Sequence, residues 1–253
     1  MVNRPTVADA EELRLAAETA RTAADPGNEL VVAAEGNISV QTPGDRLHVT
    51  ASGTRLGRLQ PSDFVEMSRS RLLAGIEECS SDAAWKNVLT GGADAGAARP
   101  SVEAGLHAVL GEQLGAGVIL HTHPTPVLAL MAAGRGAELA RERMIPDHVV
   151  MCGTSSVLLD YHDPGLELAK QALGVVRAGT GRSNVWLLAG HGMVAHARTA
   201  EAALDVTLMV VKMARLLLAA GPNAAALPRS EVRRIATRED ERYRRALLRL
   251  DAG

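Results

Sequence analysis

The chain is poor in aromatic surface, with one Phe, two Trp and two Tyr among 253 residues, so stacking platforms for bases or sugar rings are few. Cationic surface is not concentrated either. Nearly all basic residues are Arg, no basic block precedes the C-terminal helix, and the formal net charge is -2, which argues against nucleic acid as a partner. Cys79 and Cys152 are the only cysteines and form no CxxC spacing, which excludes a disulfide framework. The most hydrophobic segment, Ala202 to Ala220, carries Asp205, Lys212 and Arg215, which argues against a membrane span. Met1 to Asp25 is acidic and alanine-rich without an apolar core, so no signal peptide is expected and the protein reads as cytoplasmic. The GxGxxG, GxxxxGKS/T and GxSxG fingerprints of dinucleotide, nucleoside-triphosphate and nucleophile-elbow sites are all missing.

What remains is an ordinary globular composition, 47% hydrophobic and 22% charged, long enough to bury a full core. Apolar positions Leu13, Ala16, Ala17 and Ala20 predict a helix over Val7 to Ala24, ended by Asp25-Pro26-Gly27. Glu35 to Val40 and Leu47 to Thr50 read as hairpin strands, and Phe64 to Met67 as another. Cys79 to Arg99 reads as a surface excursion, followed by a helix from Pro100-Ser101 through Leu114 and a buried strand over Gly117 to His121. Beyond it the patterning predicts helices over Thr125 to Ala133 and Pro164 to Ala178, with strands over His148 to Met151 and Asn184 to Ala189. Thr199 caps a long helix to Ala220, and Ser230 to Leu250 is a further amphipathic helix. Strands and helices interleave with no linker and no repeat. The expectation is one α/β domain over 1–253, with its core at about 13–220 and a mixed, mostly antiparallel sheet.

The chemistry gathers around Val118-Ile119-Leu120-His121-Thr122-His123-Pro124. Side chains two apart on a strand share a face, so His121 and His123 project together, and neutral imidazoles converging in this way suit a divalent metal. His191 repeats the arrangement between Gly190 and Gly192 at the end of another apolar run. Glu103 lies in the first turn of the helix preceding the His121 strand, where it either joins the metal or only complements the helix dipole. His107, one turn on, shares its face and is expected behind the ligands. Three histidines and a carboxylate suit Lewis-acid work on a carbonyl, with the carboxylate handling the proton. Gly36-Asn37-Ile38-Ser39, Ser52-Gly53-Thr54 and Ser101 offer glycine-shaped turns and a helix start that can receive an anion.

Taken in order, Gly36-Asn37-Ile38-Ser39, Ala51-Ser52-Gly53, Ser101-Val102-Glu103 with His107, His121-Thr122-His123-Pro124 and Gly190-His191-Gly192 resemble the class II aldolase/adducin family, over roughly Leu13 to Ala220. The wording from Pro100 to Ala108 looks more like the bacterial rhamnulose-phosphate-aldolase-like branch than like fuculose-phosphate aldolase. The resemblance implies a three-layer αβα sandwich, assembled as a homotetramer with active sites at subunit boundaries. It implies zinc, or another divalent metal such as Mn2+ or Co2+, on His121, His123 and His191, with Glu103 as metal-side carboxylate and catalytic acid/base. It also implies a sugar-phosphate substrate whose phosphate is held by Gly36, Asn37, Ser52, Gly53 and Ser101. The activity expected is cleavage of a ketose 1-phosphate or related sugar to dihydroxyacetone phosphate and an aldehyde. Epimerases, decarboxylases and dehydratases would use the same site, and adducin-type members keep the fold as an interaction module without the histidines. One position departs from the family pattern: Val102 stands where many members carry a second serine.

Overall fold

The sheet grows outward from a tight hairpin. In the computed structural model, which describes residues 7–91, 98–115 and 117–250, strands β1 (Asn37–Thr42) and β2 (Arg46–Thr50) pair antiparallel. Gly44, in the turn between them, has φ of +82°, a conformation that favours glycine. β3 (Phe64–Ser68) extends the sheet beyond β2, and β4 (Val118–Thr122) pairs with the other edge of β1. β5 (Val157–Leu159), β6 (Val185–Leu188) and β7 (Gly192–Ala197) complete seven strands in the order β3-β2-β1-β4-β7-β6-β5. Only β5 and β6 run parallel. The mixed, mostly antiparallel sheet expected from the short turns is therefore observed.

Strand alternation sends side chains to two separate cores. Ile38, Val40, Val118, Leu120, Val185, Leu187, Met193 and Ala195 meet α1 (Val7–Ala23), α5 (Thr125–Ala132) and α9 (Ala200–Ala220) on one face. Val49, Ile119, Trp186, Leu188 and Val194 meet α2 (Arg69–Glu78), α3 (Asp82–Thr90), α4 (Ala104–Leu114) and α8 (Leu166–Arg177) on the other. Two helical layers enclose one sheet, the expected αβα sandwich. The Thr199 hydroxyl accepts from Ala202 N at the start of α9, as a capping threonine should. Among the described residues, no helix is long and apolar enough to cross a membrane.

Several elements differ from the sequence expectation. His148 to Met151 is not a strand but part of α7 (Pro146–Cys152), after the short α6 (Gly136–Arg141). Pro146 opens α7 and Asp147 favours its first turn, so start signals override the β-branched Val149-Val150 pair. The surface excursion contains α3, capped by Ser81 and anchored by Trp85, which is 3% exposed; residues 92–97 of that stretch lie outside the described residues. The Ser230 to Leu250 helix is two, α10 (Arg229–Thr237) and α11 (Glu239–Leu247), divided at extended Arg238. The Thr237 hydroxyl donates to the carbonyls of Arg233 and Arg234, and three acidic residues favour a new start after Arg238. β5 and β7 were not expected, and β7 buries His196.

One packing relation carries the site. Alternate β1 residues Asn37, Ser39 and Gln41 face Glu103, His107 and Gly111, which are four apart along the helix. Asn37 Nδ2 donates to Glu103 Oε2 at 2.7 Å, and Ser39 Oγ lies 2.7 Å from His107 Nδ1. A Cβ on Gly111 would stand 2.4 Å from Gln41 Cδ. Two strand residues advance about 6.6 Å and four helical residues about 6 Å, so the two rows stay in step.

Candidate metal and proton-transfer site

The sheet register places Asn37 opposite His121, and His121 opposite Val194. His123 follows directly on the end of β4, where its N–H donates to Leu30 O at 2.8 Å and Pro124 prevents further strand pairing. His191 occupies the turn between β6 and β7, with its N–H bonded to Leu188 O at 3.0 Å. The imidazoles of His121, His123 and His191 meet edge to face, with ring centroids 4.7, 4.8 and 5.0 Å apart. One ring nitrogen from each lies within 4.8 Å of the others.

Glycines make this approach possible. A Cβ on Gly192 would stand 2.5 Å from Thr122 O and 2.8 Å from His123 Cδ2. A Cβ on Gly36, at φ of +73°, would stand 2.6 Å from His121 O. Gly36 thus serves the close approach of β1 to the histidine strand. Gly190, at φ of +64°, packs against the ring of Tyr161, whose hydroxyl donates to Asp163 at 2.8 Å.

Protonation states follow from burial. His121 is 1% exposed and its pKa is pushed down to about 4, chiefly by desolvation. Burial likewise lowers His191 to about 4 and depresses His123, each with help from neighbouring His121. All three are neutral at pH 7, the state in which imidazole ligates. His121 Nδ1 lies 2.9 Å from Met193 O, which can only accept, so this nitrogen carries the proton and Nε2 presents its lone pair. That Nε2 lies 2.9 Å from His123 Nε2. His107, fully buried behind them and bonded to Ser39, is pushed down to about 3 by desolvation and by His121.

Glu103 closes the cluster. The helix begins at Ala104 rather than directly after Pro100-Ser101, so Glu103 occupies the N-cap position of α4 rather than its first turn. Its carboxylate is 5% exposed, with Oε2 3.3 Å from His121 Nε2 and Oε1 3.4 Å from His191 Nε2. Oε2 accepts from Asn37, whereas Oε1 is buried without a hydrogen-bond partner. A buried carboxylate oxygen left bare beside three neutral imidazoles fits a divalent cation, and an N3O donor set suits zinc.

The glycine turns that the sequence offered for an anion also converge. Ser101 N donates to Thr50 O, Ser52 N to Arg99 O, and Ala51 bridges to Pro100, which ties the Ser52-Gly53 turn to the start of α4. Ser101 Oγ lies 3.2 Å from Asn37 Nδ2, so Asn37 links Ser101 to the Glu103 carboxylate. Gly53, at φ of +81°, faces open space, with nothing within 4 Å of a Cβ placed there. Val102 is 47% exposed beside them.

Glu35 went unnoticed in the sequence as a site residue. Its Oε1 is 3.9 Å from His123 Nδ1, and Oε2 accepts from Val32 N at 2.8 Å. The signal available was an acid directly before Gly36-Asn37, one residue from the strand that faces His121.

A sequence profile described as "Class II Aldolase and Adducin N-terminal domain" matches residues 14–218. No curated protein sequence gives a significant match to the chain. Solved structures do. YgbL from Escherichia coli, described as a putative aldolase/epimerase/decarboxylase, is 20% identical with a TM-score of 0.69, over 90% of this chain and 97% of that one. The N-terminal class II aldolase domain of a conserved Thermoplasma acidophilum protein is 23% identical, TM-score 0.63, over 86% and 97%. L-fuculose-1-phosphate aldolase from Thermus thermophilus is 22% identical, TM-score 0.60, over 84% and 98%. At such identities these structures speak for the fold, and the profile match over most of the chain speaks for descent. The chain belongs to the class II aldolase and adducin family.

Proposed function

We propose that the protein is a divalent-metal-dependent aldolase that splits a ketose 1-phosphate, or a related sugar, into dihydroxyacetone phosphate and an aldehyde. The observation behind this reading is the Glu103 carboxylate, 3.3 and 3.4 Å from the Nε2 atoms of His121 and His191, with one oxygen held by Asn37 and the other bare. Zinc, or Mn2+ or Co2+ in its place, held by His121, His123 and His191, would supply Lewis-acid polarisation of the substrate's C2 carbonyl. Ser52, Gly53 and Ser101 form the anion end that receives the phosphate, with Gly36 and Asn37 at its inner edge. Asn37 fixes the orientation of Glu103, and His107 with Ser39 supports the same helix turn from behind.

In the cleavage direction the C4 hydroxyl loses its proton to solvent and the C3–C4 bond breaks as the aldehyde carbonyl forms. The electron pair passes into the polarised C2 carbonyl, and Glu103, having taken up a proton from solvent, delivers it to C3. General acid–base help of this kind contributes about 10²- to 10⁴-fold. We further propose a homotetramer acting in the cytoplasm, with sites at subunit boundaries, as the family resemblance implies.

Val102 favours a second reading within the same site, because it offers the anion end no second hydroxyl. An epimerase, decarboxylase or dehydratase acting on a sugar acid would use the same carboxylate and cation. Product analysis separates these reactions. Zinc-loaded protein incubated with ketose 1-phosphates, free deoxyketoses and sugar acids is expected to release triose phosphate from the first group. Release of CO2 or an epimer instead would replace the aldolase assignment, and no turnover on any of them would overturn it.

A further inference from the structure

The C-terminal helices lie beyond the span matched by the family profile, which ends at residue 218. α10 docks on α7 through Val232 and Ile235 against Val149 and Val150, and Leu227 N donates to Arg143 O at 2.8 Å. The seam leaves a cavity of about 260 Å³ lined by Arg141, Arg143, Arg229, Arg233, Thr154 and Ser155, with Glu142 as its one acidic wall residue. None of the candidate metal ligands borders it.

Four arginines face a single carboxylate in this cavity. Arg234 on the same helix pairs with Glu231 at 2.7 Å, and Arg244 pairs with Asp147 at 2.7 Å. Among the described residues, Arg141, Arg229 and Arg233 have no such partner, and all three are exposed. Arg143 is only 1% exposed, and its five N–H groups go to neutral oxygens: Gly153 O, Ala140 O, Glu142 O, Cys152 O and Ser156 Oγ. Its hydrogen bonds are satisfied by neutral oxygens, and among the described residues it has no ion pair, only the field of neighbouring Glu142, an arrangement that is costly in a desolvated site. An anion in the adjoining cavity would supply the missing countercharge.

We propose that this cavity binds the phosphate or diphosphate group of a small molecule. Guanidinium forks on Arg141, Arg229 and Arg233 can approach phosphate oxygens in pairs, and the hydroxyls of Thr154 and Ser155 add donors. A volume of 260 Å³ exceeds what one bare ion fills, and concave walls suit a small molecule rather than a duplex. Bound there, the ligand ties the segment from α6 through the end of α7 to α10, and so clamps the C-terminal helices to the body of the protein.

Inorganic pyrophosphate is the probe, titrated calorimetrically and by thermal unfolding against sodium chloride of equal ionic strength. Saturable binding with a rise in Tm is expected. Arg229→Gln with Arg233→Gln should weaken binding about a hundredfold, because each charge-assisted bond contributes about tenfold. Arg141→Gln, which leaves the α10 seam untouched, should weaken it independently. Ser101→Ala, in the anion end beside Glu103, should leave the affinity unchanged. No saturable binding, or wild-type affinity in the folded arginine variants, would overturn the proposal. So would binding lost in Ser101→Ala alone.

Discussion

Gly192 shows how little freedom individual residues have around the three imidazoles. Its missing Cβ would collide with a backbone oxygen at 2.5 Å and a histidine ring at 2.8 Å, and the backbone cannot rotate away as a side chain could. Gly192→Ala is expected to cost about 1–3 kcal/mol of stability by overpacking and to weaken divalent-ion uptake. Urea unfolding and a metal titration measure both, and unchanged metal affinity would count against the proposed ligand set. His196 makes a separate prediction. It is 4% exposed, its Nε2 donates to Ser183 O at 2.8 Å, and burial pushes its pKa down to about 4. An unfolded histidine titrates near 6.5, so below that pH the unfolded chain binds a proton that the folded one refuses until about pH 4. The stability contributed by this group is fully present above pH 6.5 and falls by about 2 kcal/mol at pH 5. His196→Gln should lose correspondingly less between pH 7.5 and pH 5 in urea melts, and an equal loss would refute the assignment.

At the level of elements, α3 and α4 illustrate what the chain discloses and what it hides. Trp85 of α3 lies over Gly105 of α4, where an added Cβ would stand 2.8 Å from the indole and 3.0 Å from Ala169. Gly105→Ala is expected to cost about 1–3 kcal/mol, and less in a Trp85→Leu background, as a double-mutant cycle would measure. Additive costs would show that the two helices do not press on each other there. The sequence hid α3 because its surroundings are rich in Ser, Ala, Gly and Asp, and only Trp85, Val88 and Leu89 mark its inner face, a single turn of helical spacing. It disguised α7 because Val149-Val150 reads as a strand until Pro146 and Asp147 are recognised as a helix start. β7 was hidden by small residues, Gly192 and Ala195, which are buried on both faces of the sheet and so show no alternation. The β1–β2 hairpin and α9 were legible because turn glycines and a capping threonine mark their ends. The site was legible for a related reason. His121, His123 and His191 sit at strand ends that apolar runs announce, and Glu103 precedes a helix that returns to the same strand. The contact of Glu35 with His123 was not, because it depends on how the segment before β1 curls past β4.

Across the whole molecule, the sheet order explains why a cluster of four residues distant in sequence can form. β1, β4 and β7 are adjacent, so the start of β1, the end of β4 and the β6–β7 turn reach one edge of the sheet together. α4 packs across that face and delivers its N-terminal carboxylate to the same edge. The fold thus supplies three neutral imidazoles and one acid without a long loop, and it sets Ser101 beside Asn37 at the same end. The division of labour inferred from this layout is that the histidines hold the cation and Glu103 moves the proton. The Glu103→Gln variant tests it most directly, since the amide keeps the shape and the Asn37 neighbour but cannot exchange a proton. Metal content by elemental analysis and turnover of the responsive substrate should be measured on the same preparation. One divalent ion per chain, with turnover reduced about 10²- to 10⁴-fold, is the expected result. Undiminished turnover at wild-type metal content would contradict it.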